Sequence, residues 1–220
     1  SIAWRYDFLN HFLSFGIDQS WRRKAMAMLS GRYKDPVILD VATGTGDMAI
    51  ESMNLNPDMV TGVDISEKMI ELAGKKVLKK GLGEKIRFDL CDSASLDFAD
   101  NSFDIVMSGF GVRNFSDLRK GLSEMHRVTR KGGSVIILEF SKPLVFPFKQ
   151  FYDFYFRQVL PGTGRFFSGD RDAYSYLYNS VMEFPDGELF INILKATGYS
   201  EIQEKRLTLG VSTIYTGVKN

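Results

Sequence analysis

Hydrophobic positions in the first two thirds of the chain alternate between short continuous runs and helical spacing. Runs rich in Val and Ile predict five buried strands, at 36–41, 59–64, 85–92, 102–108 and 134–140. Between these runs, apolar residues recur three or four positions apart, as in Ser66 to Gly81, where Ser66 is a suitable N-cap. Strands that alternate with amphipathic helices predict an α/β fold, a Rossmann-like sheet with helices on both faces.

The alternation stops after Phe140. The following segment is aromatic and helical in pattern without an obvious strand, and two final runs, 201–208 and 211–219, can pair through a turn at Leu209–Gly210. The helix at 116–130 is expected to end at the Lys-Gly-Gly of 131–133. These patterns predict seven strands in a single domain. We divide it into a helical N-terminal lid (1–30), a core (36–140), an aromatic helical insert (142–184), and a last helix with the antiparallel pair (186–220).

Composition narrows the class of protein. The 220 residues are 44% hydrophobic and 25% charged, with a net charge of +1, which is typical of a globular domain and unlike a bulk nucleic-acid binder. The one cysteine, Cys91, allows no internal disulfide and no cysteine metal cluster, and we expect no metal. No apolar stretch of about 18 residues and no signal peptide are visible, so we expect a cytoplasmic protein. The chain starts at Ser1, so we expect an N-terminal piece to be missing from it.

A glycine-rich stretch, "DVATGTGDMA" (40–49), follows the first strand run. Gly44 and Gly46 open the pattern G-x-G-x-x-[GA], which in dinucleotide-binding folds presents backbone N–H groups to a pyrophosphate. Asp40 and Asp47 flank these glycines. A carboxylate about 4 Å from a phosphate would repel it by about 4 kcal/mol per charge pair in a surface-like dielectric. The loop therefore favours a cationic ligand.

S-adenosylmethionine (SAM) is such a ligand, because it has a sulfonium and an ammonium group and no phosphate. Asp64 ends the second run 20 residues after Gly44, where an acid can bond ribose hydroxyls. Asp92 ends the third run and can accept from the adenine amino group, and Thr45 adds a hydroxyl. The alternative is that these acids are ordinary turn residues, and the glycine pattern alone is weak. Their combination favours a SAM site over NAD.

Five stretches carry a resemblance to a known family. The chain resembles the menaquinone/ubiquinone biosynthesis C-methyltransferases, class I methyltransferases that act on prenylated quinols. The resemblance covers nearly the whole chain and lies in "YDFLNHFLSFGIDQSWRR" (6–23), "LDVATGTGD" (39–47), "FGVRNFSD" (110–117), "GGSVIILEFSKP" (132–143) and "YSYLYNSVMEFPD" (174–186). It implies a seven-stranded class I methyltransferase fold.

The resemblance also implies SAM contacts at Thr45, Asp64, Asp92 and Ser93. Where relatives often carry a serine directly before Phe-Gly, this chain has Gly109, so that contact either shifts to Ser108 or is lost. The complete predicted cofactor site is Asp40, Thr43, Gly44, Thr45, Gly46, Asp64, Ile65, Asp92, Ser93, Ser108 and Gly109.

Methyl transfer to carbon needs an electron-rich ring, so the reduced quinol is the implied substrate. Arg113 is the first candidate to stabilise a phenolate at the crevice, because a permanent cation favours the anion; its alternative is an arginine that bonds a helix end. Asn114 is a candidate N-cap alongside Ser116 and Asp117.

The N-terminal segment and the insert supply the remaining candidates. Tyr6 and Asp7 are expected to close over the site, with helix packing as the alternative, and the predicted substrate contacts are Asn10, Asp170 and Tyr174. Neither histidine is assigned a catalytic role: His11 is not required by the resemblance, and His126 is expected to be structural.

The expected reaction converts demethylmenaquinol to menaquinol, and the ubiquinone-pathway benzoquinol is the runner-up. An NAD-dependent oxidoreductase and a non-catalytic scaffold are the rivals from other classes. The aromatic run at 144–160 suits a polyprenyl tail, a membrane surface at the inner membrane face, a homodimer contact or plain core. The expected partners are therefore a lipophilic quinol and no nucleic acid.

Overall fold

A seven-stranded sheet forms the centre of the molecule. The computed structural model describes residues 16–144, 146, 150 and 171–220, and of residues 171–175 the backbone alone. The strands are β1 (Val37–Val41), β2 (Met59–Asp64), β3 (Ile86–Leu90), β4 (Phe103–Gly109), β5 (Thr129–Phe140), β6 (Tyr199–Leu207) and β7 (Ser212–Lys219). Their order in the sheet is β3-β2-β1-β4-β5-β7-β6, and β7 runs antiparallel to both neighbours. The predicted fold class is confirmed.

Six α-helices connect or flank these strands in the described part of the chain: α1 (Asp18–Ala27), α2 (Asp47–Glu51), α3 (Glu67–Lys79), α4 (Leu118–Val128), α5 (Arg171–Glu183) and α6 (Glu188–Thr197). Ser66 caps α3, since its hydroxyl accepts a hydrogen bond from the backbone N–H of Met69, as predicted. The cap of α4 is Asp117, whose carboxylate accepts from the N–H of Lys120 at 3.0 Å. Asn114, which was also a candidate, is therefore not the N-cap of this helix.

Neighbouring residues of each central strand belong to opposite cores, because side chains alternate across a sheet. Ile38 of β1 packs in the core under α1, α2 and α3, while Leu39 packs in the core under α4 and α6. The continuous apolar runs in the sequence reflect this burial on both faces. Among the described residues, no helix is long and apolar enough to cross a bilayer.

The strand β5 begins earlier than predicted. It starts at Thr129, so the Lys-Gly-Gly that we expected to end α4 lies inside the strand. Thr129 pairs with Phe103, and the register between β4 and β5 shifts before the next pair, Ile105 and Ser134. Gly132 has a φ of 75° within this irregularity, a conformation that glycine adopts without strain. The glycines therefore bend the strand instead of separating it from the helix.

The helix α1 is fixed against the sheet by Trp21. The indole N–H donates to the hydroxyl of Thr208 at 2.8 Å, and the ring packs against Phe110 and Phe140 with centroids 6.1 Å away in both cases. These contacts place the neighbouring Arg22 at the carboxyl edge of the sheet. The first half of the predicted helical lid, residues 1–15, lies outside the described residues.

Candidate active site

A cavity of about 440 Å³ opens where the strand order reverses, between β1 and β4. In open α/β sheets, ligands bind at this crevice beyond the carboxyl ends of the strands. Its lining comes from the segments that follow β1 to β4, with contributions from α1 and α5. The volume lies within the range of small-molecule sites.

Asp64, at the end of β2, organises the glycine loop. Its carboxylate accepts the backbone N–H of Gly44 and the backbone N–H of Ser66, both at 2.9 Å. The N–H of Gly44 is one that a dinucleotide pyrophosphate would take in this type of loop. A carboxylate of the protein occupies it here, so a phosphate would have to displace a negative charge. Carboxylate oxygens have further lone pairs, and Asp64 faces the cavity, where it can accept from a hydroxyl group of a ligand.

Gly46 is needed for packing more than for ligand approach. Its φ is 81°, and a Cβ there would lie 2.9 Å from Cζ of Phe88 and 3.3 Å from Cβ of Ala73. The loop therefore sits directly on β3 and α3. Gly44, with a φ of 56°, is the glycine of this pair that lines the cavity.

Asp40 lies beneath the loop and is fully buried. The hydroxyl of Thr43 donates to one carboxylate oxygen at 2.6 Å, whereas the other oxygen, Oδ1, has no hydrogen-bond partner. Burial raises the pKa of Asp40 to about 7, although the hydrogen bond from Thr43 and the positive charge of Arg22 oppose this. The carboxyl group is thus only partly ionised at neutral pH.

Asp47 forms an ion pair with Lys76 at 2.8 Å. Together with the raised pKa of Asp40, this corrects the electrostatic argument made from the sequence, because neither flanking acid is a full, uncompensated charge. What disfavours a phosphate at this loop is the occupation of the Gly44 N–H by Asp64.

Seven of the predicted cofactor residues line the cavity: Thr43, Gly44, Asp64, Ile65, Asp92, Ser93 and Gly109. The other four, Asp40, Thr45, Gly46 and Ser108, do not. The hydroxyl of Thr45 accepts a hydrogen bond from Lys76 at 2.7 Å, so it is engaged with α3. Contacts of all eleven residues with a cofactor remain predictions.

Ser108 lies just under the cavity floor. Its side chain is fully buried and its hydroxyl has no partner. A Cβ on Gly111 would lie only 2.7 Å from that hydroxyl and 2.7 Å from Cβ of Ala42, so the backbone of Gly111 covers both side chains. The cavity is reached by Gly109 instead.

Asp92 and Ile65 stand at the rim of the cavity. Asp92 closes a tight turn in which its side chain accepts the N–H of Ala94 at 2.9 Å and its carbonyl accepts the N–H of Ser95 at 3.0 Å. Ile65 follows Asp64 directly and is 72% exposed, a large apolar surface beside polar acceptors. Such a combination suits a flat heterocycle that carries amino groups at its edge.

Arg113 is placed differently from what its position in the sequence suggested. Its guanidinium donates to both oxygens of Glu139, at 2.9 and 3.1 Å, and to the carbonyl of Phe110 at 2.6 Å. The two side chains are 1% and 0% exposed, and Arg113 does not line the cavity. The guanidinium is neutralised by Glu139, so it is not the uncompensated cation that we expected. Its contact with a substrate oxygen remains a prediction.

Several predicted site residues lie outside the part of the chain that the structure describes. Tyr6, Asp7, Asn10 and Asp170 fall in segments that are not described, as does His11. The backbone of Tyr174 belongs to α5, and its side chain is not described.

His126 has a structural environment, as expected. Its ring packs edge-on against Tyr199, with centroids 4.9 Å apart, on the face of the sheet covered by α4 and α6. Desolvation by burial and the charge of Lys219 lower the pKa of His126. Among the described residues, no group of His, Cys, Asp and Glu is suited to hold a metal ion.

Two features of the lining were not found from the sequence. Arg22 of α1 reaches the cavity, and Tyr176 of α5 donates its hydroxyl to Asn114 at 3.2 Å across the opening. The pair of Asn114 and Tyr176 is separated by 62 positions in the chain. The only sequence signal for either feature was that these residues fall within the stretches that resembled the known family.

The sheet order, the crevice and its acidic rim define a class I methyltransferase fold. The structure of a SAM-dependent methyltransferase from Thermotoga maritima, described as a possible histamine N-methyltransferase, matches with a TM-score of 0.65 and 18% identity, over 98% of this chain and 97% of that one. Phosphoethanolamine N-methyltransferase 2 of Haemonchus contortus, in complex with SAM, matches with a TM-score of 0.64 and 18% identity, over 100% of this chain and 60% of that one. These likenesses concern the fold.

Sequence comparison identifies the family. The model of the ubiE/COQ5 methyltransferase family matches residues 1–219, so the chain belongs to this family and is a SAM-dependent methyltransferase. A demethylmenaquinone methyltransferase of Bacteroides fragilis is 49% identical over 220 residues, which are 100% of this chain and 89% of that protein. A ubiquinone/menaquinone biosynthesis C-methyltransferase UbiE of Geotalea daltonii is 46% identical, over 100% of this chain and 93% of that protein.

Proposed function

We propose that the protein transfers the methyl group of SAM to a ring carbon of demethylmenaquinol, which yields menaquinol. The observation that carries this proposal is the agreement between site and relatives. A crevice whose glycine loop is bonded by Asp64 occurs in a chain that aligns from end to end with proteins named demethylmenaquinone methyltransferase. The NAD-dependent alternative loses its basis, because the family is one of methyltransferases.

The charges of the site fit SAM. Asp64 and Asp92 line the cavity and suit a ligand with two positive groups. Asp47 also lines the cavity, but Lys76 offsets its charge.

Each end of the cofactor has residues of matching chemistry. Asp64 accepts from the ribose hydroxyls, in keeping with its position at the end of β2. Asp92 and Ser93 lie where the adenine amino group would be bonded, and Ile65 covers a face of the heterocycle with its exposed side chain. When bound, SAM supplies an electrophilic methyl group on its sulfonium.

The protein then has to orient an electron-rich ring. The quinol is required because the oxidised quinone is electron-poor and does not attack a methyl group. Phe110 and Phe115 supply aromatic surface in the cavity, and Asn114 with Tyr176 supplies an amide and a hydroxyl that can hold ring oxygens. Bulk water can accept the proton that the ring releases, so the reaction does not require a dedicated base. Tyr6, Asp7, Asn10, Asp170 and Tyr174 remain predicted residues of the site.

The polyprenyl tail calls for an apolar path. Leu144 and Phe146 begin the aromatic run and are 67% and 76% exposed. Exposed apolar side chains at the start of this segment support contact with the tail or with the inner face of a membrane by a cytoplasmic protein. A homodimer contact through the same segment is the alternative for this surface.

The benzoquinol of the ubiquinone pathway is the second candidate substrate. It is supported by the relatives named for both pathways, such as the UbiE protein of Geotalea daltonii. No described residue of the cavity discriminates between the two rings.

The experiment is to incubate the purified protein with methyl-labelled SAM and demethylmenaquinone together. One sample contains chemically reduced demethylmenaquinone, and a parallel sample contains the oxidised form. We expect label in the lipid fraction with the reduced substrate alone. A third sample contains 2-methoxy-6-polyprenyl-1,4-benzoquinol, and faster labelling of that ring would assign the protein to ubiquinone synthesis. Proven SAM binding without labelling of either quinol would favour a non-catalytic scaffold.

A further inference from the structure

We propose that Arg22 binds the carboxylate at the methionine end of SAM; this inference rests on the proposed function. Among the described residues that line the cavity, Arg22 is the only cationic side chain, beside the carboxylates of Asp64 and Asp92. Asp47 also lines the cavity, but Lys76 offsets its charge. An acidic lining suits the sulfonium and the ammonium of SAM. It would repel the carboxylate of SAM unless hydrogen-bond donors meet it, and the guanidinium of Arg22 still supplies donors although Asp18 offsets its charge.

The hydrogen bonding of Arg22 leaves capacity for a ligand. Its side chain is 6% exposed, and Nη1 donates to the carboxylate of Asp18, four residues earlier on α1. The adjacent Nε is buried and has no hydrogen-bond partner. A guanidinium has five N–H donors in a planar fork, and this geometry matches a carboxylate. Because Arg22 lines the cavity, a carboxylate bound there can take donors of the guanidinium that the pair with Asp18 leaves.

The position of the guanidinium also fits. It lies over the ring of Phe110, with Cζ 5.4 Å from the centroid, and Phe110 directly follows the strand β4. Its charge acts on Asp40, near the end of β1, where it opposes the rise in pKa that burial causes. Arg22 thus lies beside the loop that begins after Asp40 and the residue that follows β4. Asp64 and Asp92 line the other strand ends, where the nucleoside is expected, so the methionine end of SAM falls on the side of Arg22.

The alternative is that the pair of Asp18 and Arg22 only stabilises α1. Decarboxylated SAM separates these two roles, because it lacks the carboxylate and keeps the sulfonium, the amine and the nucleoside. Calorimetric titration of the protein with both ligands therefore measures the contribution of the carboxylate. We expect the unmodified protein to bind SAM about 10- to 100-fold more tightly than decarboxylated SAM.

The variant Arg22→Gln should abolish that preference. We expect its affinity for SAM to fall about 10- to 100-fold while its affinity for decarboxylated SAM stays within about 2-fold. Arg23→Gln is the matched control, since Arg23 is the exposed next residue of the same helix, and it should keep both affinities. If Arg22→Gln does not fold, the double variant Asp18→Asn with Arg22→Gln removes both buried charges together and takes its place.

The outcomes separate this inference from the proposed function. Equal affinity of the unmodified protein for both ligands overturns the role of Arg22 and leaves methyl transfer intact. An equal loss of both affinities in the variant, as a purely structural role predicts, overturns it as well. Failure of the unmodified protein to bind either ligand overturns the proposed function and the inference with it.

Discussion

The carboxylate of Asp64 accepts the backbone N–H of Gly44 at a distance of 2.9 Å. One acid thus has two functions, because it fixes the glycine loop and presents lone pairs to the cavity. In a dinucleotide-binding fold the corresponding loop is held by the phosphates of its ligand. Here the loop is held by the protein, and the ligand can be a cation.

Replacing Asp64 tests this arrangement. We expect Asp64→Ala to weaken SAM binding by about 1.5–3 kcal/mol, because a charge-assisted hydrogen bond to the ribose is lost. Asp64→Asn keeps one acceptor oxygen and should lose less. Titration calorimetry measures both, with Asp89→Ala on the exposed end of β3 as the control. Unchanged affinity in Asp64→Ala would place the ribose elsewhere.

The buried carboxyl of Asp40 should make stability depend on pH. Its pKa in the folded protein is about 7 against a reference of 3.8, so folding favours the protonated form. This contribution is complete below about pH 4 and is lost as the pH rises through about 7. In Asp40→Asn the loss should be absent. Chemical unfolding across this pH range measures the difference between the two proteins, and parallel pH profiles would contradict the burial of an ionisable Asp40.

Gly46 and Gly81 form a matched pair for testing the packing of the loop. Both have a positive φ, but a Cβ at Gly81 meets nothing within 4 Å, while one at Gly46 would lie 2.9 Å from Phe88. The ring of Phe88 also packs against Gly62, so it has little room to move. Gly81→Ala should destabilise by about 1 kcal/mol from backbone strain, and Gly46→Ala by about 1–3 kcal/mol more. Equal melting temperatures of the two variants would show that the loop does not press on Phe88.

Breaking the buried ion pair of Arg113 and Glu139 should lower the free energy of unfolding more than breaking a surface ion pair. Removing one partner leaves an uncompensated buried group, so Arg113→Gln should cost about 3–5 kcal/mol of unfolding free energy. Arg130→Gln, which breaks a pair with Asp104 in which the arginine is 43% exposed, should cost below about 1 kcal/mol. Replacing both buried partners, as Arg113→Met with Glu139→Leu, should recover most of the loss. Urea unfolding of the variants measures these differences, and equal costs of the two single changes would contradict the burial of Arg113.

The sequence predicted the sheet well because its strands are buried on both faces. Their apolar runs are continuous, and β2 covers the predicted range of 59–64 in full. Asp64 and Asp92 were predicted to face one crevice for a related reason, since the ends of neighbouring parallel strands meet at one edge, and both line the cavity. The start of β5 was missed because its glycines, which usually interrupt a strand, here accommodate a shift in register.

The features of the site that the sequence did not predict depend on the direction in which side chains point and on contacts between residues far apart in the chain. Thr45 bonds Lys76 because the loop turns through positive φ angles at Ala42, Gly44 and Gly46. No spacing rule predicts such turns. Asp40 is buried because it lies within the central strand β1. Arg22 reaches the cavity because Trp21 anchors its helix to Thr208, a residue 187 positions away. Contacts of this kind exist only in the folded chain.

The most direct test of the proposed activity is where the methyl group ends up. The protein is incubated with SAM carrying a ¹³C-methyl group and with reduced demethylmenaquinone, and the lipid product is examined by carbon NMR. The proposal predicts a labelled methyl group bonded to a ring carbon. Neither ring oxygen should carry a labelled methyl group. A labelled methoxy group, or an unlabelled lipid from protein that binds SAM, would contradict it.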